Sequence, residues 1–228
     1  MRTVLALVLL VVIGWGIAAV LGDIPFGTPK TKVGDDYTEK GREETGATNI
    51  VTSVVLNYRG YDTLGEVTIL FVAAIGLGSV LSVRRKKGRP EVTPSSLVVS
   101  TGCRFLFPLI LLFGGYIFIH GHLTPGGGFQ GGAIIASAYV LVYLGCRGRR
   151  INEVGSQTVE SLGGLAFVVV ALVGLAVGGG YFLSNFLPKG ELNQLFSAGI
   201  IPVIYIAIGF KVGSELAGVI DRLMEESE

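Results

Sequence analysis

Of the charged residues inside long apolar stretches, Glu66, Lys211 and Glu215 lie where their chemistry matters most. Charge at membrane depth is costly and marks a functional site by default. Glu66 lies one turn into its apolar run, four residues after Asp62. A carboxylate at either position can hold a partly dehydrated hard cation or relay protons. The spacing Thr63-Leu-Gly-Glu66 also fits a capping box, with Thr63 as the N-cap and Glu66 reaching back. The sequence leaves both readings open: a cap alone, or an ion-path residue with or without capping. Lys211 and Glu215 are four apart and share a helix face. They make either an interface-anchored salt bridge with snorkelling side chains, or a polar element that touches a neighbouring subunit or an ion route.

A second constellation is the string His120-Gly-His-Leu-Thr-Pro-Gly-Gly-Gly-Phe-Gln-Gly-Gly132. Pro125 and Gly126, Gly127 and Gly128 permit a tight reversal that other residues resist. His120 and His122 have no third histidine, cysteine or nearby carboxylate, so hydrogen-bonded loop histidines are expected and no metal site. No Gly-Lys-Ser/Thr follows the glycines, which removes a phosphate cradle. Gln130 enters the next helix one turn on, where its amide is expected to bond a neighbouring helix. No nucleophile, base and orienting group occur together, so no catalytic residue and no resident cofactor are assigned.

The elements that must position these residues are membrane helices. Half of the 228 residues are hydrophobic and only 15% are charged, and the mean hydropathy is +0.64. That balance excludes an ordinary soluble domain. The formal net charge of +1, with basic residues in short runs beside apolar segments, excludes a nucleic-acid partner. Two cysteines, Cys103 and Cys146, are too few for a disulfide framework and are expected as thiols. Six stretches approach the roughly 20 residues that cross a bilayer: Val4–Leu21, Leu64–Val83, Phe105–Ile119, Phe129–Leu144, Val159–Phe182 and Ser197–Ile220. Leu97–Val99 extend the third as an interfacial turn. The run Val4–Leu21 exceeds the apolar region of a signal peptide, about 7–15 residues, so it is expected to stay as a span.

The basic runs Arg84–Arg89 and Arg147–Arg150 fall on one side of this arrangement and place both termini in the cytosol. The fold expected is all-α and integral to the cytoplasmic membrane, with six transmembrane helices and a Pro-Gly hairpin between the third and fourth. Gly128/Gly132, Gly174/Gly178 and Gly209/Gly213 are each four apart. This spacing lets helices approach closely, although 35 glycines will sometimes fall so by chance. The outer loop 22–61 has a charged centre, Asp35–Glu44, with no apolar period, followed by Asn49–Tyr58, which suits a short interfacial helix. A basic, proline-punctuated linker, Arg84–Pro94, separates a two-helix segment (1–90) from a four-helix unit (91–228).

The glycine-rich string and Pro202-Val-Ile-Tyr-Ile-Ala-Ile-Gly-Phe-Lys-Val-Gly-Ser-Glu-Leu-Ala217 resemble the MrpB component of the Mrp-type multisubunit sodium/proton antiporters over residues 97–220. Residues 49–83, through Asn49-Ile-Val and Tyr58-Arg-Gly-Tyr-Asp-Thr-Leu-Gly-Glu66, resemble the C-terminal membrane region of the MrpA component. The large ion-translocating part of MrpA, with its lysine-bearing broken helices, has no counterpart here. Similar small subunits occur where an Mrp-like module is attached to a redox arm, as in membrane-bound hydrogenases and sulfane reductases. The resemblance implies a membrane subunit of a Na+/H+ antiport module that packs against other antiporter subunits, a hydrogenase or sulfane reductase arm, and lipid. It would help form the ion path through Glu66. The alternative is a structural connector with no residue on the ion route.

Overall fold

In a computed structural model, residues 2–23, 32–82, 95–146 and 151–227 are described. Among them the chain is helical throughout, without strands. Lipid offers no hydrogen bonds to the backbone, so long apolar runs satisfy their own peptide groups as helices. Two compact units, 1–35 and 36–228, are distinguished. The first holds α1 (Arg2–Asp23), whose apolar side chains from Leu7 to Leu21 are exposed all round. The second contains α2 (Lys32–Thr45) from Asp36 onward, α3 (Ile50–Ser53), α4 (Gly60–Ser82), α5 (Leu97–Ile119), α6 (Gly128–Gly145), α7 (Glu153–Val177) and α8 (Ile201–Ser227). Five helices, α4 to α8, are long and apolar enough to cross a membrane among the described residues, and the apolar part of α1, Ala6–Gly22, is shorter.

Helix α8 is the hub. It packs against α4, α5, α6 and α7, and its Ile204, Tyr205, Ile208 and Val212 form the core with Phe167 and Ala171 of α7 and Leu56 ahead of α4. The glycines spaced four apart explain how the helices come so near. A β-carbon on Gly128 would stand 2.6 Å from the Ile208 side chain, and one on Gly132 would stand 2.9 Å from the Gly213 backbone nitrogen. Gly209 gives the same room to Phe118 of α5. Gly174 and Gly178 admit the Ser184 segment that follows α7. The pattern therefore serves packing within this chain.

Several elements depart from the sequence reading. The charged centre of the outer loop is helical as α2. An Asp36–Lys40 ion pair of 3.0 Å at i,i+4 supports it locally, Tyr37 stacks on Tyr58, and Gly41 lies against Ser53. Asn49–Tyr58 is a short helix as expected, capped by Asn49 and continued by a π-helical turn, with Thr52, Ser53 and Leu56 buried. Leu97–Val99 belong to one continuous α5, with Ser96 accepting from the Val99 amide. Helix α7 begins six residues before Val159 and ends five before Phe182. Ser197–Ile200 form a turn ahead of α8. Arg84–Pro94 and Arg147–Arg150, on which the orientation rests, lie outside the described residues.

Candidate functional site

Thr63 does not cap α4. The helix starts at Gly60, so Thr63 is already inside it, buried, and its hydroxyl donates to the Val55 carbonyl at 2.8 Å. The capping-box account of Glu66 fails for that reason. Glu66 is exposed on the second turn of α4. Asp62, also exposed, pairs with Arg59 at 2.6 Å in the first turn, a surface bridge of small energetic weight.

Lys211 and Glu215 are brought together and enclosed. Lys211 Nζ donates to Glu215 Oε2 at 2.7 Å, with the side chains 8% and 1% exposed. Snorkelling is therefore ruled out. The ammonium lies over the Phe71 ring at 5.1 Å from its centroid, a contact that favours a desolvated cation. Gly163 and Gly164 of α7 leave room for the lysine stem. Glu215 Oε1 is buried and has no hydrogen-bond partner among the described residues.

Beside this pair lies a cavity of about 440 Å³ between α4, α7 and α8. Phe71, Ala74 and Gly78 line it from α4, Glu153, Gln157 and Glu160 from α7, and Glu215, Asp221 and Arg222 from α8. Arg222 donates to the Ala74 carbonyl at 3.4 Å, tying the end of α8 to α4. Glu66 is not among the lining residues. The sequence reading missed Glu153, Glu160 and Asp221. A signal was present for Glu153 and Glu160, since 153, 157 and 160 fall at i, i+4 and i+7, whereas Asp221 lies off the row of 211, 215, 218 and 222 on α8.

The turn between α5 and α6 is held from outside its own sequence. Thr52 Oγ1 donates to the Gly121 carbonyl at 2.6 Å, and Asn49 Nδ2 donates to Gly121 at 2.9 Å and Thr124 at 3.1 Å. Tyr205 Oη donates to Thr52 Oγ1 at 2.9 Å from α8. Gly127 has φ +152, a backbone region that L side chains rarely adopt. A β-carbon on Gly126 would meet the Ile117 carbonyl at 2.7 Å. Pro125 is exposed. Gln130 is exposed too, its side-chain oxygen close to Gly127. His120 stacks on Tyr116 and its Nδ1 bonds the Tyr116 carbonyl at 3.0 Å. His122 is fully buried, with Nε2 3.4 Å from the Gln194 carbonyl, and burial lowers its pKa from the usual histidine value. Among the described residues no group of three or more His, Cys, Asp or Glu could hold a metal ion. Cys103 and Cys146 form no disulfide, their sulfurs standing 3.3 Å apart.

Comparison with known proteins places this architecture. Residues 98–218 match the family described as a domain related to the MnhB subunit of Na+/H+ antiporter, and residues 1–96 match MbhE, the E component of MBH. A chain in the structure of the membrane-bound sulfane sulfur reductase, an archaeal respiratory membrane complex, is similar at 49% identity with a TM-score of 0.81, covering 98% of each chain. The Mrp complex from Dietzia sp. DQ12-45-1b contains a chain similar at 26% identity with a TM-score of 0.76, covering 97% of this chain and 26% of that one. An uncharacterized protein of Methanocaldococcus jannaschii is 34% identical over 193 residues, 72% of each. The chain thus belongs to the family of MnhB-related antiporter subunits, and it is a membrane subunit of an Mrp-like antiport module that carries an MbhE-type segment in the same polypeptide.

Proposed function

We propose that this subunit works in the cytoplasmic membrane within a redox-driven respiratory complex of the sulfane reductase or membrane-bound hydrogenase type. There it helps form the path of a monovalent cation, Na+, exchanged against H+. The observation that carries this reading is Glu66. An exposed carboxylate two turns into a membrane helix is costly against lipid, so the face of α4 that bears it, with Asp62 one turn earlier, fits a neighbouring subunit or an aqueous route. Exposed Tyr61, Ile69 and Val72 continue that outer surface. The likeness to a full-length chain of a sulfane reductase complex supports the redox-driven host.

Glu66→Gln in the complex purified in mild detergent is expected to leave assembly intact and to lower sodium flux in vesicles clearly more than Thr63→Ser, which keeps the hydroxyl bonded to Val55. Glutamine retains the size and hydrogen bonding of the side chain but not its charge. Unchanged flux would take Glu66 off the route and favour the structural-connector reading. The iron–sulfur and nickel content of the same preparation distinguishes the possible hosts.

In this reading the chain has six spans, α1 and α4 to α8, with both termini cytosolic, and the Pro-Gly hairpin faces outward. Segments 1–90 and 91–228 act as the MrpA-like and MrpB-like parts. A cysteine at Lys40 should react with a membrane-impermeant reagent from outside, and one at Lys87 should not. The opposite pattern would reverse the orientation.

A further inference from the structure

Cys103 and Cys146 are the two cysteines of the chain, and the fold brings them together. Cys103 lies on the second turn of α5, and Cys146 caps the C-terminus of α6. Their sulfurs stand 3.3 Å apart although 43 positions separate them. Cys103 Sγ donates to the Leu141 carbonyl at 3.3 Å, and Cys146 Sγ lies 3.7 Å from the Ser100 carbonyl. A bare glycine permits the approach: a β-carbon on Gly145 would stand 2.7 Å from Cys103 Cβ. Ser95 Oγ donates to the Gly145 carbonyl and ties the same end of α6 to the start of α5.

The two thiols differ in access. Cys103 is 2% exposed, whereas Cys146 is partly exposed. A recess of about 380 Å³ adjoins the pair, walled by Arg104, Phe107 and Tyr139. Thiol–disulfide exchange needs one thiolate that an incoming disulfide can reach, then a second one at short range. Cys146 meets the first requirement and Cys103 the second. Closing the gap of 3.3 Å to the ~2.0 Å of a disulfide bond requires one side chain to move. Cys146 is placed to do so: with φ −120 and ψ 59 it has already left the helix, at an end where helices fray.

We infer that Cys103 and Cys146 form a reversible thiol–disulfide modification site that reacts with a small soluble disulfide. The Cys146 thiolate attacks one sulfur of that molecule, forms a mixed disulfide and expels the other half as a thiolate. The Cys103 thiolate then attacks Cys146 Sγ, forms the Cys103–Cys146 bond and expels the second half. Each expelled thiolate takes up the proton given up by the cysteine that displaced it. Two protein thiols are oxidised and one disulfide is reduced to two thiols. In the proposed topology the pair lies at the cytosolic face, where thiols are kept reduced and disulfides are transient and redox-sensing. The dithiol is therefore the resting form, and oxidation adds a covalent tie. Helices α5 and α6, already joined through the hairpin turn at one end, are then joined at the other. The side of the membrane follows from that topology, whereas the chemistry of the pair depends neither on it nor on the antiport reading.

The test uses the purified full chain in detergent, incubated with oxidised glutathione and read by intact mass and peptide mapping. The expected product has lost two hydrogens, carries a Cys103–Cys146 bridge and retains no glutathione. Dithiothreitol should return it to the dithiol. Cys103→Ser should stall as a glutathione adduct on Cys146, because the resolving thiol is gone. Cys146→Ser should react roughly tenfold more slowly, since burial limits attack by the thiol that remains. A lasting adduct on Cys146 in the unaltered chain, a bridge between two chains, or no reaction at Cys146 would overturn the proposal. Equal reactivity of the two serine variants would overturn the assigned order of attack. If a serine variant does not fold, the unaltered chain decides. A bridge that forms at the same rate after the protein is diluted supports the pair, and a rate that falls on dilution rejects it.

Discussion

Lys211→Met is expected to lower the stability of the detergent-solubilised chain by about 3–5 kcal/mol, the cost of removing one partner of a buried ion pair. Glu215 is 2% exposed and bonds Lys211 at 2.7 Å. Methionine preserves much of the stem that packs against Gly163 and Gly164 but leaves the carboxylate buried without its counter-charge. The double variant Lys211→Met/Glu215→Leu should regain most of the loss, because an apolar pair of similar volume avoids desolvating two ions. Thermal or SDS unfolding of the three proteins gives the comparison. A double variant as unstable as the single one would mean that the damage comes from packing around Phe71 and α7, not from the stranded charge.

Gly128→Val should disrupt the α6–α8 contact and sharply reduce the folded yield. Its β-carbon would lie 2.6 Å from the Ile208 side chain and 2.9 Å from the Tyr205 carbonyl oxygen. The first contact can relax by side-chain motion, but the second requires two helices to separate. Overpacking of a core site costs about 1–3 kcal/mol where neighbours can adjust, and here part of the obstacle is backbone. Gly127→Val adds strain at φ +152 and a contact with the Gln130 oxygen. Gly115→Ala, with open space around the added carbon, should be neutral or slightly stabilising, as expected for alanine in a helix. His122→Gln should fall between these extremes, since the ring is buried but makes only a long hydrogen bond to Gln194. Equal levels of folded protein for Gly128→Val and Gly115→Ala would refute the close-packing account.

The helices of the second unit were legible because lipid forces a simple code: an apolar run of sufficient length must be a helix. The glycine spacings were legible for the same kind of reason, although only the structure shows Gly128 and Gly132 facing Ile208 and Val212. Helix α2 was not. Its only apolar side chains are Val33 and Tyr37, and part of its support, from Tyr58 and Ser53, lies beyond its own sequence. The Thr63–Glu66 box failed because helix starts depend on what lies upstream, here the π-helical turn ending at Tyr58. The Lys211–Glu215 pairing followed from spacing alone, whereas its burial depends on Phe71 and Gly163 arriving from other helices. The cavity was hidden because it exists only where α4, α7 and α8 converge.

The bonds from Thr52 and Asn49 to the Gly121 carbonyl, and from Tyr205 to Thr52, join residues separated by 69 to 153 positions. Together with the packing of α4 on α8 and the Arg222–Ala74 bond, they stitch the part before residue 83 to the part after residue 94. Cohesion between these parts therefore does not depend on the peptide chain that connects them. Genes encoding such a protein are free to be split or fused at this linker without redesigning the contact surface. The same bonds set an order on biosynthesis: Asn49 and Thr52 leave the ribosome early, but Asn49 waits for Gly121 and Thr124, and Thr52 finds its last partner only when Tyr205 has been made.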